Sequence, residues 1–136
     1  MDSTVRISRS LLERIVSEAA SSREEICGLL LGAGDEIADS QACRNVHATP
    51  ATRFELDPRA LFAALRTARG GGPAILGHYH SHPSGLAYPS PTDAASAAPD
   101  GALWLIVADT EVTAWRAVRD GAVHGRFDPV ALAIAP

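Results

Sequence analysis

The sequence predicts an α/β or α+β fold, a mixed twisted β-sheet flanked by helices. Three observations carry that expectation. Two segments have apolar residues at helical spacing. Several short apolar runs are bounded by glycine, proline and charge, as buried strands are. The order helix, strands, helix, strand, loop, strands mixes the two types along the chain.

The first helix is expected over Ser10 to Ser21. Leu11, Leu12, Ile15, Val16, Ala19 and Ala20 recur on one side, and Ser8 or Ser10 can cap the start. Ile26 to Gly32 (ICGLLLG) reads as a buried strand, and residues 35–47 continue with weaker strand character beyond a turn at Gly32-Ala33-Gly34-Asp35. Arg53 to Leu56 is a short extended piece. Asp57-Pro58 opens a second helix, with Asp as N-cap and Pro at the first position. Leu61, Ala64, Leu65 and Ala68 form its apolar face, and Gly70, Gly71 and Gly72 stop it. Residues 74–80 form a strand, 84–91 a Ser/Gly/Pro loop and Thr92 to Ala98 a short helix. Ala102 to Ala108 (ALWLIVA) is the most apolar strand and is expected to be central. Val112 to Val118 and Val123 to Phe127 flank Arg119-Asp120-Gly121-Ala122, a hairpin signal.

Composition narrows the function classes. The chain has 136 residues, enough for one domain over 1–136 with its own core. An apolar fraction of 46% against 21% charged argues against disorder. The net charge is −4 with no basic stripe, so no nucleic-acid partner is expected. No apolar stretch reaches the roughly 18 residues of a membrane span, and residues 1–16 lack the apolar segment of a signal peptide. The expected location is cytoplasmic. Cys27 and Cys43 lack a C-x-x-C spacing and read as ordinary thiols.

The chemistry concentrates in GHYHSHPSGLAYPSPTD, residues 77–93. Alternate residues of a strand share a face, so His78, His80 and His82 can point the same way. Two imidazoles from an H-x-H pair reach one metal ion, and Asp93 supplies a third ligand if the loop folds back. Two His and one Asp suggest an open, catalytic zinc site rather than a closed structural one. By spacing alone, His78 with His80 and His80 with His82 are equally good pairs. A solvated, inert His-rich loop also satisfies the spacing.

The segment resembles the signature of the JAMM (MPN+, Mov34/JAB) metallopeptidases: His80-Ser81-His82-Pro83, then SGLAYPS closing on Ser90, then Pro91-Thr92-Asp93. Upstream, Glu25-Ile26-Cys27-Gly28-Leu29-Leu30-Leu31-Gly32 is similar to the family's E-x-[CM]-G-L-L-x-G, and Arg53-Phe54-Glu55-Leu56-Asp57-Pro58 to the segment before its second helix. The resemblance favours His80 and His82 over His78. It implies one zinc ion per chain on His80, His82 and Asp93, Glu25 as general base, Ser90 as oxyanion stabiliser, and a fold related to the cytidine deaminases. It implies hydrolysis of a peptide or isopeptide bond, with Glu25 activating a zinc-bound water. The implied substrate is a ubiquitin-like or sulfur-carrier protein cut after its C-terminal Gly-Gly. The short chain is similar to compact prokaryotic members. The leaving group, the oligomeric state (a homodimer included) and the role of His78 stay open.

Each residue also has a plainer reading. Ser90 can be a turn residue between two prolines, and Asp93 can cap the helix after Thr92. Trp104 and Trp115 read as core, His47 and His124 as surface residues, and Cys27 as a packed thiol. Two other functions make different demands on the sequence. A non-catalytic MPN-type interaction domain would not need the intact His, Asp, Glu and Ser set. A deaminase would need H-x-E followed by P-C-x-x-C, which the chain lacks.

Overall fold

Among the described residues, 4–83 and 85–136 of a computed structural model, seven strands and three helices follow one another. Met1 to Ser3, and Ser84 at the head of the expected loop, lie outside them. The elements are β1 (Thr4–Ser8), α1 (Arg9–Ala20), β2 (Cys27–Ala33), β3 (Glu36–Cys43), α2 (Pro58–Arg69), β4 (Ala74–Ser81), α3 (Pro91–Ser96), β5 (Leu103–Ala108), β6 (Glu111–Gly121) and β7 (Gly125–Ala135). No helix among them is long and apolar enough to cross a membrane.

The mixed sheet is ordered β1-β3-β2-β4-β5-β6-β7 and closes on itself through β1. Closure depends on one strand absent from the sequence expectation and on one longer than expected. β1 is five residues long, and its Val5 and Ile7 are each 1% exposed. The strand expected to end at Phe127 runs on to Ala135 as β7. Pro129 interrupts its strand pattern, since proline lacks an N–H for the ladder. The fold tolerates it because β1 pairs with β7 only from Ala131 onward, so no β1 partner is left wanting.

The hairpin turn is also displaced. Gly121 pairs with Gly125, so the turn is residues 122–124 rather than 119–122. Asp120 takes a left-handed φ of 55° inside β6, where the register shifts between Ala117 and Gly121. The Asp-Gly pair thus marks a bulge.

β5 is buried along its whole length, as expected of a central strand. Leu103, Leu105 and Val107 face a core completed by Leu11 and Ile15 of α1. Trp104 and Ile106 face a second cluster with Trp115, Phe127, Phe54 and Ala94 of α3. Ser8 caps α1, and Asp57 caps α2 ahead of Pro58, as their residue types dictate.

Candidate metal centre

β4 presents His78 and His80 on the face toward Phe54 and Trp104, and Tyr79 on the opposite face. His82 follows directly, its backbone N–H donating to Val107 O at 2.8 Å. The 85–90 loop then turns back and is tied down three times. The His82 ring bonds Leu86 O through Nδ1 at 2.8 Å, Thr113 Oγ1 donates to Ala87 O at 2.8 Å, and His124 Nε2 bonds Pro89 O at 2.9 Å. Those ties deliver the start of α3, and with it Asp93, to the end of β4.

There three side chains converge. His80 Nε2 lies 3.0 Å from His82 Nε2 and 3.2 Å from Asp93 Oδ1, and His82 Nε2 lies 3.2 Å from Asp93 Oδ2. His80 is fully buried, and Asp93 is 6% exposed. His78 is left out of the cluster. It packs edge-on to Trp104 at 4.3 Å between ring centroids, and burial drives its pKa down to about 3.

Asp93 owes its aim to Ser90. Ser90 Oγ accepts from Asp93 N and Ser90 N donates to Asp93 Oδ2, both at 3.0 Å, which is a complete capping box on α3. The cap of α3 is thus Ser90 rather than Asp93, which sits inside the helix as the partner in the box, and the same bonds turn the Asp93 carboxylate to the two imidazoles.

Two further groups support the imidazoles. The Leu86 carbonyl can only accept, so His82 Nδ1 carries a hydrogen and neutral His82 turns a bare Nε2 to the cluster. Phe54 stacks on His80 at 4.3 Å and 17°. His80 Nδ1 is buried without a partner among the described residues, so packing, rather than a hydrogen bond, holds that ring.

Charge follows geometry. Burial opposes ionisation of Asp93, but the bonds from His80 and His82 outweigh it and hold the carboxyl well below its ordinary range. Burial lowers His80. His82 goes the other way: burial works against its charged form, and Asp93 and the Leu86 carbonyl overcome it.

Glu25 lies just before β2 and is 7% exposed. It lines one small cleft with Asp93, His47 and Arg53. Burial raises its pKa to about 7, His82 counteracting and Asp93 adding to the rise. Its backbone is fixed on both sides, N–H to Pro50 O at 2.8 Å and C=O to Asn45 Nδ2 at 2.9 Å.

Asn45 is the residue that sequence reasoning missed. Its Nδ2 also donates to Arg53 O at 2.9 Å, and its Oδ1 accepts from the backbone of His47 and Glu55, each at 3.1 Å. One amide so ties the end of β2 to the whole 45–55 segment. Its partners are up to 20 residues away, and no local pattern announces them. His47 is likewise not a plain surface residue, since it lines the cleft. His124 is exposed as expected.

A divalent ion fits these donors. Zinc bonds of about 2.0–2.2 Å in tetrahedral array place neighbouring ligand atoms roughly 3.3–3.6 Å apart. The separations of 3.0–3.2 Å need to open only slightly. Two nitrogens and one carboxylate oxygen would leave the fourth tetrahedral place open.

Comparison with known proteins identifies similar chains. The family model for prokaryotic homologues of the JAB domain matches residues 8–119. A desampylase of Pyrococcus furiosus is 32% identical over 114 residues, 83% of this chain and 81% of the relative. A desampylase of Haloferax volcanii is 36% identical over 84 residues, so the match spans only 60% of the relative's length and 60% of this chain. A probable TtuB-protein conjugate cleaving protease of Thermus thermophilus is 49% identical over 49 residues, 36% of this chain and 33% of the relative. In solved structures, a protein of Desulfitobacterium hafniense superposes with a TM-score of 0.80 at 25% identity, covering 96% of this chain and 92% of its own.

Proposed function

Because this chain belongs to the prokaryotic homologues of the JAB domain, we propose that it is a zinc-dependent peptidase or isopeptidase of one domain. It cuts after the C-terminal Gly-Gly of a ubiquitin-like or sulfur-carrier protein. The observation that carries the reading is the convergence of His80 Nε2, His82 Nε2 and the Asp93 carboxylate beside the buried acid Glu25. The names of the relatives, desampylase and conjugate cleaving protease, support the substrate class.

His80, His82 and Asp93 would hold the ion. Bound there, zinc would polarise the scissile carbonyl and lower the pKa of water toward about 7. Glu25 takes a proton from the attacking water and returns it to the leaving nitrogen as the C–N bond breaks. A base with a pKa near the working pH suits both transfers. Its carboxylate has no hydrogen-bond partner among the described residues, so it is available for water. Ser90 Oγ accepts from Asp93 N through a lone pair, which leaves the hydroxyl hydrogen free for the developing oxyanion.

The test is to load the protein with zinc and offer small ubiquitin-like carriers extended past Gly-Gly by one residue or joined there to a lysine side chain. Mass spectrometry should show cleavage after the second glycine. Stoichiometric zinc with no cleavage across such a panel would defeat the proposal.

A further inference from the structure

We propose that the cleft beside Glu25 is a carboxylate pocket. Arg53 and His47 would hold there the free α-carboxylate of a single C-terminal residue, and hydrolysis would release one amino acid in preference to a lysine side chain. The inference rests on the hydrolase reading above and adds the leaving group to it.

The cleft has a volume of about 80 Å³, the size of a small polar group rather than a peptide segment. Glu25 and Asp93 form the side that belongs to the metal centre. Its other lining residues include Arg53, His47, Thr52 and Thr92, whose side chains carry hydrogen-bond donors. Arg53 is exposed and, among the described residues, has no acid within ion-pair distance; the arginines so paired are Arg14 and Arg116. The Thr49 backbone N–H donates to His47 Nδ1 at 3.0 Å, so in neutral His47 the hydrogen is on Nε2, a donor. A planar fork and an N–H among the residues lining one cleft are complementary to a carboxylate.

The wall is held in register with the reacting groups. Asn45 Nδ2 binds the carbonyls of Glu25 and Arg53 at once, both at 2.9 Å. On the other side, Phe54 stacks on His80. Residues 53–54 are thus fixed between the acid and a metal-ligand ring, as preorganised recognition requires.

The chemistry sets which group enters. Glu25 must reach the leaving nitrogen to protonate it. In a peptide ending one residue past the cut, the α-carboxyl carbon is two bonds from that nitrogen, about 2.5 Å away. A group so close to the nitrogen that Glu25 must reach can enter the cleft that Glu25 lines. A lysine side chain joined through Nζ brings only methylenes to that place, which offer the donors of Arg53 and His47 no acceptor.

The experiment compares three substrates of zinc-loaded protein: a peptide ending in Gly-Gly-Ala with a free acid, its carboxamide, and Gly-Gly joined to Nζ of a blocked lysine. The free acid should be cut with kcat/KM roughly 10- to 100-fold above the amide, the scale of a charged hydrogen bond. In Arg53→Gln that ratio should fall to within about threefold of one, through KM and with zinc content unchanged; Arg53→Lys should keep part of it. The Arg53 guanidinium resonance should shift on adding acetyl-alanine and not its amide. Equal cutting of acid and amide by the wild type, an undiminished ratio in Arg53→Gln, or a preferred isopeptide would each overturn the carboxylate pocket while sparing the hydrolase. Cleavage of none of the three would remove the hydrolase and the pocket together.

Discussion

Ser90 and Asp93 bond each other twice, through Ser90 Oγ with Asp93 N and through Ser90 N with Asp93 Oδ2, each at 3.0 Å. The box stabilises α3 and aims a candidate metal ligand with the same atoms. The two roles separate by mutation. Ser90→Ala should lose about 1 kcal/mol of stability and about a hundredfold in kcat. Ser90→Asp should keep the cap and most of the stability, and still lose the rate for want of a hydroxyl donor. Denaturant melts beside steady-state kinetics make the comparison, and a fully active Ser90→Asp enzyme would refute the oxyanion role.

Glu25→Gln keeps the shape of the side chain and removes the base. Rate should fall by roughly 10²- to 10⁴-fold with zinc affinity nearly unchanged. Single-turnover assays with zinc-loaded protein would show it, and a small loss of rate would assign the proton transfer elsewhere.

The Glu25 acid also sets a pH dependence of stability in metal-free protein. Its pKa is raised from 4.5 to about 7 by burial, so between those values the folded state binds more protons than the unfolded chain. Stability from this group is full below about 4.5 and falls as pH rises toward 7. In EDTA, Glu25→Gln should flatten that fall and melt above the wild type at pH 8. Adding zinc should shift the window downward, since a nearby cation favours the carboxylate.

Metal binding should stabilise the fold by mass action. Zinc at a hundredfold excess over its Kd should add about 3 kcal/mol, raising Tm in the wild type and not in Asp93→Ala. Calorimetry across a zinc series decides this. An equal rise in both proteins would place the ion elsewhere.

Gly28 lies against Tyr79, whose ring atoms would be 2.3 Å from a Cβ at that position. Tyr79 is fully buried, and its hydroxyl donates to Glu18 Oε1 at 2.8 Å, joining β4 to α1. Gly28→Ala should cost about 1–3 kcal/mol by overpacking. In a double-mutant cycle with Tyr79→Leu, the two losses should sum to more than the loss in the double variant. Additive losses would show that the ring is not what excludes the side chain.

Much of the fold was legible because the strongest signals are local. The run LWLIVA is apolar on both faces, and it is the buried strand β5. Asp57-Pro58 and the glycines after Arg69 bound α2 as their backbone preferences dictate. Where the reading failed, a local signal competed with a pairing. Pro129 hid the length of β7, and Asp120-Gly121 placed the turn too early. β1 is too short to announce itself without its two partners.

For the site, the spacing of residues 78–93 by itself determined which side chains were eligible, since alternation along a strand is a property of neighbouring backbone. The choice between the two His pairs needed family resemblance, because their geometry is identical in one dimension. Only the tertiary structure decided what surrounds them: the Phe54 ring on His80, the Leu86 carbonyl that sets the His82 tautomer, and the Asn45 amide that brings Arg53 beside Glu25. Those contacts join residues from 4 to 26 positions apart through folded loops, and burial, which moves the Glu25 pKa, exists only once the sheet has closed around them.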